Sequence, residues 1–387
     1  MAAPTRPLHE LWPALARRAP LVALGELPTP VEPLTPLAHA VGVGDLGWVK
    51  RDDLSSPVYG GNKVRTLEAL FAEALEEGAT DVWSTGAYGT NHGLAAALHA
   101  PRAGLGAGLV VFPQPRSPSA LENLRTVVSL GAPLVALRHW SELPAAMWRL
   151  GRRERARGRR PFVMVPGGAT PRGALAYVSA GLELALQVAA GELPAPGTVV
   201  VGAGSTCTVA GLLVGVALAA QRGVGFRDAR GRPAAPRVLA VRVVPWVVTS
   251  RARILSLAAR TARLLALLAG DPRLALDART LGVLLGTSGR FLGAGYGLAT
   301  RRGRRALEIF GAHAGIALDT TYSGKVAAAF LELLRRAAGG EHAPPAQYPP
   351  PYLFWSTKST APLPATTPGA VARAPERLRR WLDAGDA

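Results

Sequence analysis

Lysine is scarce in this chain: Lys50, Lys63, Lys325 and Lys358 are the only four lysines among 44 basic residues in 387. One of them stands in "YGGNKVRTLEALF" (59–71), after two glycines and an amide and at the start of an amphipathic run. A cation at a helix N-terminus opposes the helix dipole, which costs a few tenths to about 1 kcal/mol. A surface lysine gains nothing from that position. A lysine that forms an imine with an aldehyde does gain, because such a site must also hold an anion. Position alone leaves two readings for Lys63, a solvated side chain at a helix start and a functional amine.

A second stretch, "VVVGAGSTCTVAGLLVG" (199–215), runs from an apolar strand through small and hydroxyl residues into an apolar helix. Backbone N–H groups and hydroxyls at a helix start form a phosphate cradle. No Gly-Lys-Ser/Thr follows, so it is not a P-loop. As a dinucleotide fingerprint it is incomplete. Gly202 and Gly204 fit, Cys207 takes the third glycine's place, and no acidic residue closes the next strand. An ordinary strand-to-helix turn is the plain alternative. A third stretch, "STGAYGTNHG" (84–93), ends another strand. Asn91 can hydrogen-bond a phenolate-like oxygen, Thr90 and its neighbours can donate to a carboxylate, and His92 opens a helix. A simple cap is again the alternative.

These stretches need elements to hold them. Short β-rich runs at 81–86, 108–113, 133–138, 162–167, 198–204, 238–244 and 352–357 read as strands. Helical patterns lie between them. In "KVRTLEALFAEALEEG" the residues Val64, Leu67, Leu70, Phe71, Ala74 and Leu75 share one stripe, and Gly78 is placed to end the helix. Apolar strands alternating with helices predict parallel α/β sheets buried on both faces, whose C-terminal strand ends are where ligands bind. Residues 1–45 are proline-rich and predict an extended wrap, and 339–351 a proline-rich connector.

Composition excludes several classes. The formal charge of +18 is spread along the chain, with short clusters at 152–160 and 301–305. No zinc-finger or RNP-type motif and no basic tail accompanies it, so specific nucleic-acid binding is not expected. One cysteine, Cys207, rules out an intrachain disulfide. No apolar run reaches the ~18 residues of a membrane span, and the first twenty residues lack a signal-peptide core. No metal-ligand spacing is present. The expectation is a cytoplasmic protein.

In this order the motifs resemble one family, the pyridoxal-phosphate enzymes of the tryptophan-synthase β fold (fold type II), above all the aminocyclopropane-carboxylate deaminase and D-cysteine desulfhydrase group. The resemblance is carried by "LPTPVEPL", "WVKRDDLSS", "GGNKVR", "GTNHG", "VPGGATPRGALAYVSAGLEL", "GAGSTCTVAGL", "GAGYGLAT" and "LDTTYSGKVAAAF". It implies an α/β chain of two domains, each an open, mostly parallel twisted sheet flanked by helices. The large cofactor domain would be 1–65 with 173–387, and a small α/β domain would be inserted at 66–172. It implies pyridoxal 5'-phosphate held in an imine with Lys63, with Gly204 to Thr208 on the phosphate and Asn91 on the ring hydroxyl. Thr90 and His92 would lie near the substrate carboxylate, and Tyr296 and Tyr322 would approach the substrate. Ser323 would partner the pyridine nitrogen. A hydroxyl there makes a shallower electron sink than a carboxylate, which fits β-elimination better than ring opening. The implied activity is a lyase or deaminase releasing ammonia and a 2-oxo acid from a small amino acid, in a homodimer. Racemisation or β-replacement on the same fold is the first alternative, and a member without turnover the second. The chain departs from the family's pattern at Thr90, usually serine, and in "LFWSTKSTAPLP", where Lys358 stands in a remodelled turn.

Overall fold

The computed structural model describes residues 6–384 except 247, 338 and 340–346. Its strands are β1 (Val31–Pro33), β2 (Gly47–Arg51), β3 (Asp81–Ala87), β4 (Gly106–Phe112), β5 (Leu134–Ala136), β6 (Pro161–Val163), β7 (Thr198–Ala203), β8 (Arg237–Arg242), β9 (Leu285–Ser288) and β10 (Tyr352–Ser356). Its α-helices begin with α1 (Pro7–Leu11), α2 (Leu15–Arg18), α3 (Thr35–Ala40), α4 (Asn62–Glu76), α5 (Asn91–His99), α6 (Pro118–Ser129) and α7 (Leu143–Ala156). They continue with α8 (Pro171–Ala189), α9 (Cys207–Gln221), α10 (Arg251–Ala269), α11 (Ala278–Leu284), α12 (Arg301–Ala314), α13 (Ser323–Ala337) and α14 (Glu376–Asp383).

Two sheets result. One has six strands in the order β1-β2-β10-β7-β8-β9, parallel except for the β1–β2 pair, and draws on both ends of the chain. The other has four parallel strands in the order β5-β4-β3-β6. The chain is an α/β protein with mostly parallel sheets flanked by helices, as its alternating apolar runs predict.

All seven expected strands are present. β1, β2 and β9 were not expected. They are short or carry polar residues, such as Lys50 and Arg51 in β2, so they lack the apolar run of a buried central strand. The wrap at 1–45 is less extended than expected, because α1, α2 and α3 interrupt it. Most of the 339–351 connector lies outside the described residues.

α4 runs where its stripe predicts. Gly78 ends it at φ 69°, with Gly78 N–H on Leu75 O at 3.0 Å and Ala79 N–H on Ala74 O at 2.8 Å, the paired bonds of a Schellman cap. One core lies between the six-stranded sheet and α8, α9 and α10, and another covers the opposite face with α12 and α13. A third joins α4 and α5 to the four-stranded sheet, and Ala370, Ala374, Leu378 and Leu382 of the C-terminal segment belong to it. α8 and α9 cross closely: a Cβ on Gly211 would sit 2.3 Å from Ala174 O, and one on Gly215 2.4 Å from Val178 O.

Candidate active site

Loops following β3, β7 and β10 converge on the first turn of α4. Gly61 precedes the helix at φ 87°, and a Cβ there would meet Thr357 O at 2.5 Å. Only glycine allows that approach. The "WSTKST" turn braces this segment. Asn62 N–H donates to Thr357 O at 3.2 Å and Gly60 N–H to Ser359 Oγ at 2.9 Å. Lys358 is half-buried, with Nζ on Ser359 O at 3.2 Å.

Lys63 keeps accessible surface, yet protein surrounds it densely. A Cβ built on Gly167 would lie 3.7 Å from Lys63 Nζ, so this glycine leaves room beside the amine. Burial lowers the Lys63 pKa from its ordinary value. A Cys207 thiolate would oppose that shift. Burial, however, pushes the Cys207 thiol up to about 11, so it is neutral at pH 7 and gives no such support. That neutral thiol donates to Gly168 O at 3.2 Å, which makes Cys207 a structural residue.

The loop after β7 leads into a helix start that no side chain caps. Thr206 stands at φ 77°, the only non-glycine at positive φ among the described residues, and no side chain caps α9. Its first N–H groups are therefore free for an anion. Ser205 Oγ donates to Gly167 O at 3.4 Å, and Asn62 Nδ2 to Thr208 Oγ1 at 3.0 Å. Thr249 Oγ1 donates to Gly204 O and pins the loop from outside.

The third stretch forms the opposite wall. Thr90 caps α5, its hydroxyl accepting from Gly93 N–H at 3.3 Å. Its methyl is housed by missing side chains, since a Cβ on Gly93 would lie 2.6 Å from Thr90 Cγ2 and one on Gly86 3.2 Å from it. Asn91 Oδ1 accepts from Tyr59 OH at 3.1 Å and Asn123 Nδ2 at 2.7 Å. With its oxygen occupied, its amide hydrogens are left as donors. His92 is only 2% exposed, and neither ring nitrogen has a partner among the described residues. Burial, helped by the Lys63 charge, pushes its pKa down to about 3. It is a neutral imidazole with an unused donor and an unused acceptor.

Tyr296 and Tyr322 meet through their hydroxyls, rings edge to face with centroids 5.9 Å apart. Tyr322 also borders the anion cradle: a Cβ on Gly204 would lie 4.0 Å from its Cε1. Burial raises both phenols, Tyr296 to about 12. Ser323 Oγ donates to Asp319 Oδ2 at 2.8 Å and accepts from Asp319 N–H at 2.7 Å, at the start of α13.

The structure thus brings Lys63, the 204–208 loop, Asn91, His92 and Tyr322 to one place, with Thr90 capping behind and Tyr296 reached through Tyr322. Sequence reading missed Tyr59, Asn123, Asp319 and Gln114, whose amide oxygen accepts from Tyr296 OH at 3.2 Å. Asp319 alone had a signal, an acidic residue four before Ser323 at a helix start. The others act through neighbours distant in sequence. Among the described residues no three His, Cys, Asp or Glu side chains gather as a metal site, and no helix is long and apolar enough to cross a membrane.

Comparison with known proteins shows the family. The family described as "Pyridoxal-phosphate dependent enzyme" matches residues 22–343. The chain is 34% identical over 353 residues to nocardicin C-9' epimerase of Nocardia uniformis subsp. tsuyamanensis, covering 88% of this chain and 93% of the relative. It is 31% identical over 334 residues to D-cysteine desulfhydrase of Salmonella choleraesuis (strain SC-B67), covering 84% and 90%. A crystal structure of an ACC deaminase homologue superposes with a TM-score of 0.68 at 27% identity, covering 90% of this chain and 94% of the other. Threonine deaminase isoform 2 from Solanum lycopersicum, at a TM-score of 0.53 and 14% identity over 91% and 84%, shares the fold. On this evidence the chain belongs to the pyridoxal-phosphate dependent enzyme family.

Proposed function

We propose that the chain is a lyase or deaminase that converts a small amino acid to ammonia and a 2-oxo acid. The observation that carries this is the meeting of the half-buried Lys63 amine with an uncapped helix N-terminus and an imidazole that has no partner among the described residues. The residues fit pyridoxal phosphate. The 204–208 loop offers N–H groups and hydroxyls to the phosphate, Asn91 offers its amide to the ring hydroxyl, and Lys63 is the amine for the aldehyde. When bound, the cofactor supplies an electron sink for the bond broken at the substrate α-carbon.

The protein's own groups do the rest. Burial keeps more of the Lys63 amine unprotonated at working pH, so that, once released, it can take and return the α-proton. Thr90 and His92 orient the substrate carboxylate, with His92 as a neutral donor. Tyr296 and Tyr322 close the substrate side and exclude water. In β-elimination the α-proton goes to the amine, and the β-substituent leaves with the electrons of its bond. One water is taken up overall as ammonia and the 2-oxo acid are released.

A second reading, α-epimerisation on the same residues, draws on the epimerase relative. The division into a large domain (1–65 with 173–387) and an inserted domain (66–172), a homodimer and a cytoplasmic setting belong to the same proposal. Light scattering of the loaded protein checks the dimer.

The test is direct. Loaded protein is titrated with D-cysteine, L-cysteine, D-serine and aminocyclopropane carboxylate while the visible spectrum and 2-oxo acid are followed. A 2-oxo acid from one of them in wild type and none in Lys63→Ala supports the lyase reading. α-Deuteration in D2O without ammonia release favours the epimerase, and an unchanged visible band in Lys63→Ala refutes the lysine assignment.

A further inference from the structure

Gln114 lies in the loop between β4 and α6. It is 9% exposed. Its amide oxygen accepts from Tyr296 OH at 3.2 Å, across 182 residues of chain. Its backbone carbonyl accepts from Trp381 Nε1 of α14 at 3.0 Å. Two residues on, Arg116 donates to Leu382 O at 3.3 Å. The same loop touches the tyrosine segments elsewhere. Pro115 lies where a Cβ on Gly297 would meet it at 3.4 Å, and Ser117 Oγ is 3.5 Å from Thr321 Oγ1. The C-terminal helix therefore clamps a loop that grips both tyrosine-bearing segments.

The hydrogen-bond directions follow from elementary inventory. A phenol has one proton, and an amide oxygen only accepts. With the Gln114 amide oxygen facing it, Tyr296 gives its proton to Gln114, and the bond between the two hydroxyls is then made by the proton of Tyr322.

We propose that Gln114 is a positioning residue that sets this order, so that Tyr322 gives its proton to Tyr296 and turns an oxygen lone pair toward the amino-acid site. Tyr322 then meets the substrate as an acceptor, suited to an ammonium or amine N–H. It cannot deliver a proton to the α-carbon unless both bonds reverse. The inference deepens the lyase reading and rests on it for the consequence: the order selects elimination over inversion at the α-carbon. Both phenols stay protonated in the working range, since burial raises them, Tyr296 to about 12.

The order is tested on cofactor-loaded, substrate-free protein by ultraviolet resonance Raman. The tyrosine Fermi doublet separates donor from acceptor phenols, and difference spectra against Tyr322→Phe and Tyr296→Phe isolate each ring. The expected result is a donor at Tyr322 and a donor that also accepts at Tyr296. Gln114→Met, which keeps length and loses the acceptor, should change both signatures, and Gln114→Glu should restore them. Gln114→Leu replaces the methionine variant if that one does not fold. An acceptor signature at Tyr322 in wild type, or a doublet indifferent to loss of the amide, overturns the proposal. With an amino acid that wild type consumes, Gln114→Met should lower kcat about tenfold with KM nearly unchanged, and the inverted enantiomer should accumulate. Gln114→Glu should recover the wild-type ratio of products. A wild type that consumes none of the amino acids refutes the lyase reading, while the Raman result still decides the order.

Discussion

Asn62 Nδ2 donates to Thr208 Oγ1 across 3.0 Å and so joins the first turn of the lysine helix to the first turn of the helix behind the anion cradle. The lysine and the 204–208 loop are separate in sequence, and this bond ties the two helix starts together. A cofactor with an aldehyde at one end and a phosphate at another needs that spacing held before it binds, because ordering two loops during binding would cost affinity.

Asn62→Ala should therefore weaken cofactor loading. Losing one hydrogen bond of about 1 kcal/mol corresponds to roughly a fivefold rise in Kd. Quenching of tryptophan fluorescence during titration with pyridoxal phosphate measures it. An unchanged Kd would show that the two helix starts are held by their packing alone.

Thr206 sits at φ 77°, where a side chain costs about 1–2 kcal/mol. Thr206→Gly should raise the melting temperature of the cofactor-free protein by a few degrees, at roughly 2–4 °C per kcal/mol for a chain of this size or somewhat smaller. The same change removes a hydroxyl from the cradle and should weaken loading. Opposite signs for stability and affinity are the mark of strain kept for binding. A lower melting temperature would count against that account.

Two residues past Lys63, Arg65 donates to Asp52 at 2.9 Å and to Glu183 at 2.8 Å, while Lys50 Nζ reaches Glu183 at 2.6 Å. Tyr177 and Trp355 complete the shell on Asp52. This buried group of two cations and two carboxylates anchors α4. Removing one charge leaves another uncompensated, so Glu183→Gln should cost about 3–5 kcal/mol. Burial raises the Glu183 carboxyl, but Arg65 and Lys50 outweigh it and pull the pKa down to about 2. A pKa depressed in the fold means stability that is present above about 4.5 and lost as the pH falls toward 2. The urea midpoint of wild type should fall over that window, and the fall should be shallower in Glu183→Gln. Equal slopes would remove Glu183 from the explanation.

His92, buried and pushed down to about 3, should stay neutral from pH 5 to 8. His92→Gln keeps a neutral donor and should preserve the shape of the pH–rate profile. His92→Phe should lose about tenfold or more in kcat/KM, since the carboxylate loses its donor. A limb near 6.5 in wild type that vanishes in the glutamine variant would contradict a neutral imidazole.

Much of the framework was legible before the structure. The stripe of Val64, Leu67, Leu70 and Phe71 predicts α4, and Gly78 marks its end, because helical period and capping depend on residues within a few positions. Seven strands could be read because parallel strands between layers of helices are mostly apolar or β-branched. The 204–208 loop was legible as composition, glycine and hydroxyl residues between a strand and a helix. The edge strands β1 and β9 and the polar β2 were not, since three to five residues with mixed polarity carry no period.

What the sequence by itself determined is local: which segments become helix or strand, where they stop, and which loops carry groups able to hold an anion or form an imine. Tertiary structure alone decided the partners. Nothing near Asn62 announces Thr208, nothing near Tyr296 announces Gln114, and the placing of β10 between β2 and β7 joins residues about 300 and about 150 positions apart. Such pairings have no period and no local signal. They follow from how whole apolar faces bury one another, and a hydrogen bond between two loop residues is set only after that packing has brought them together.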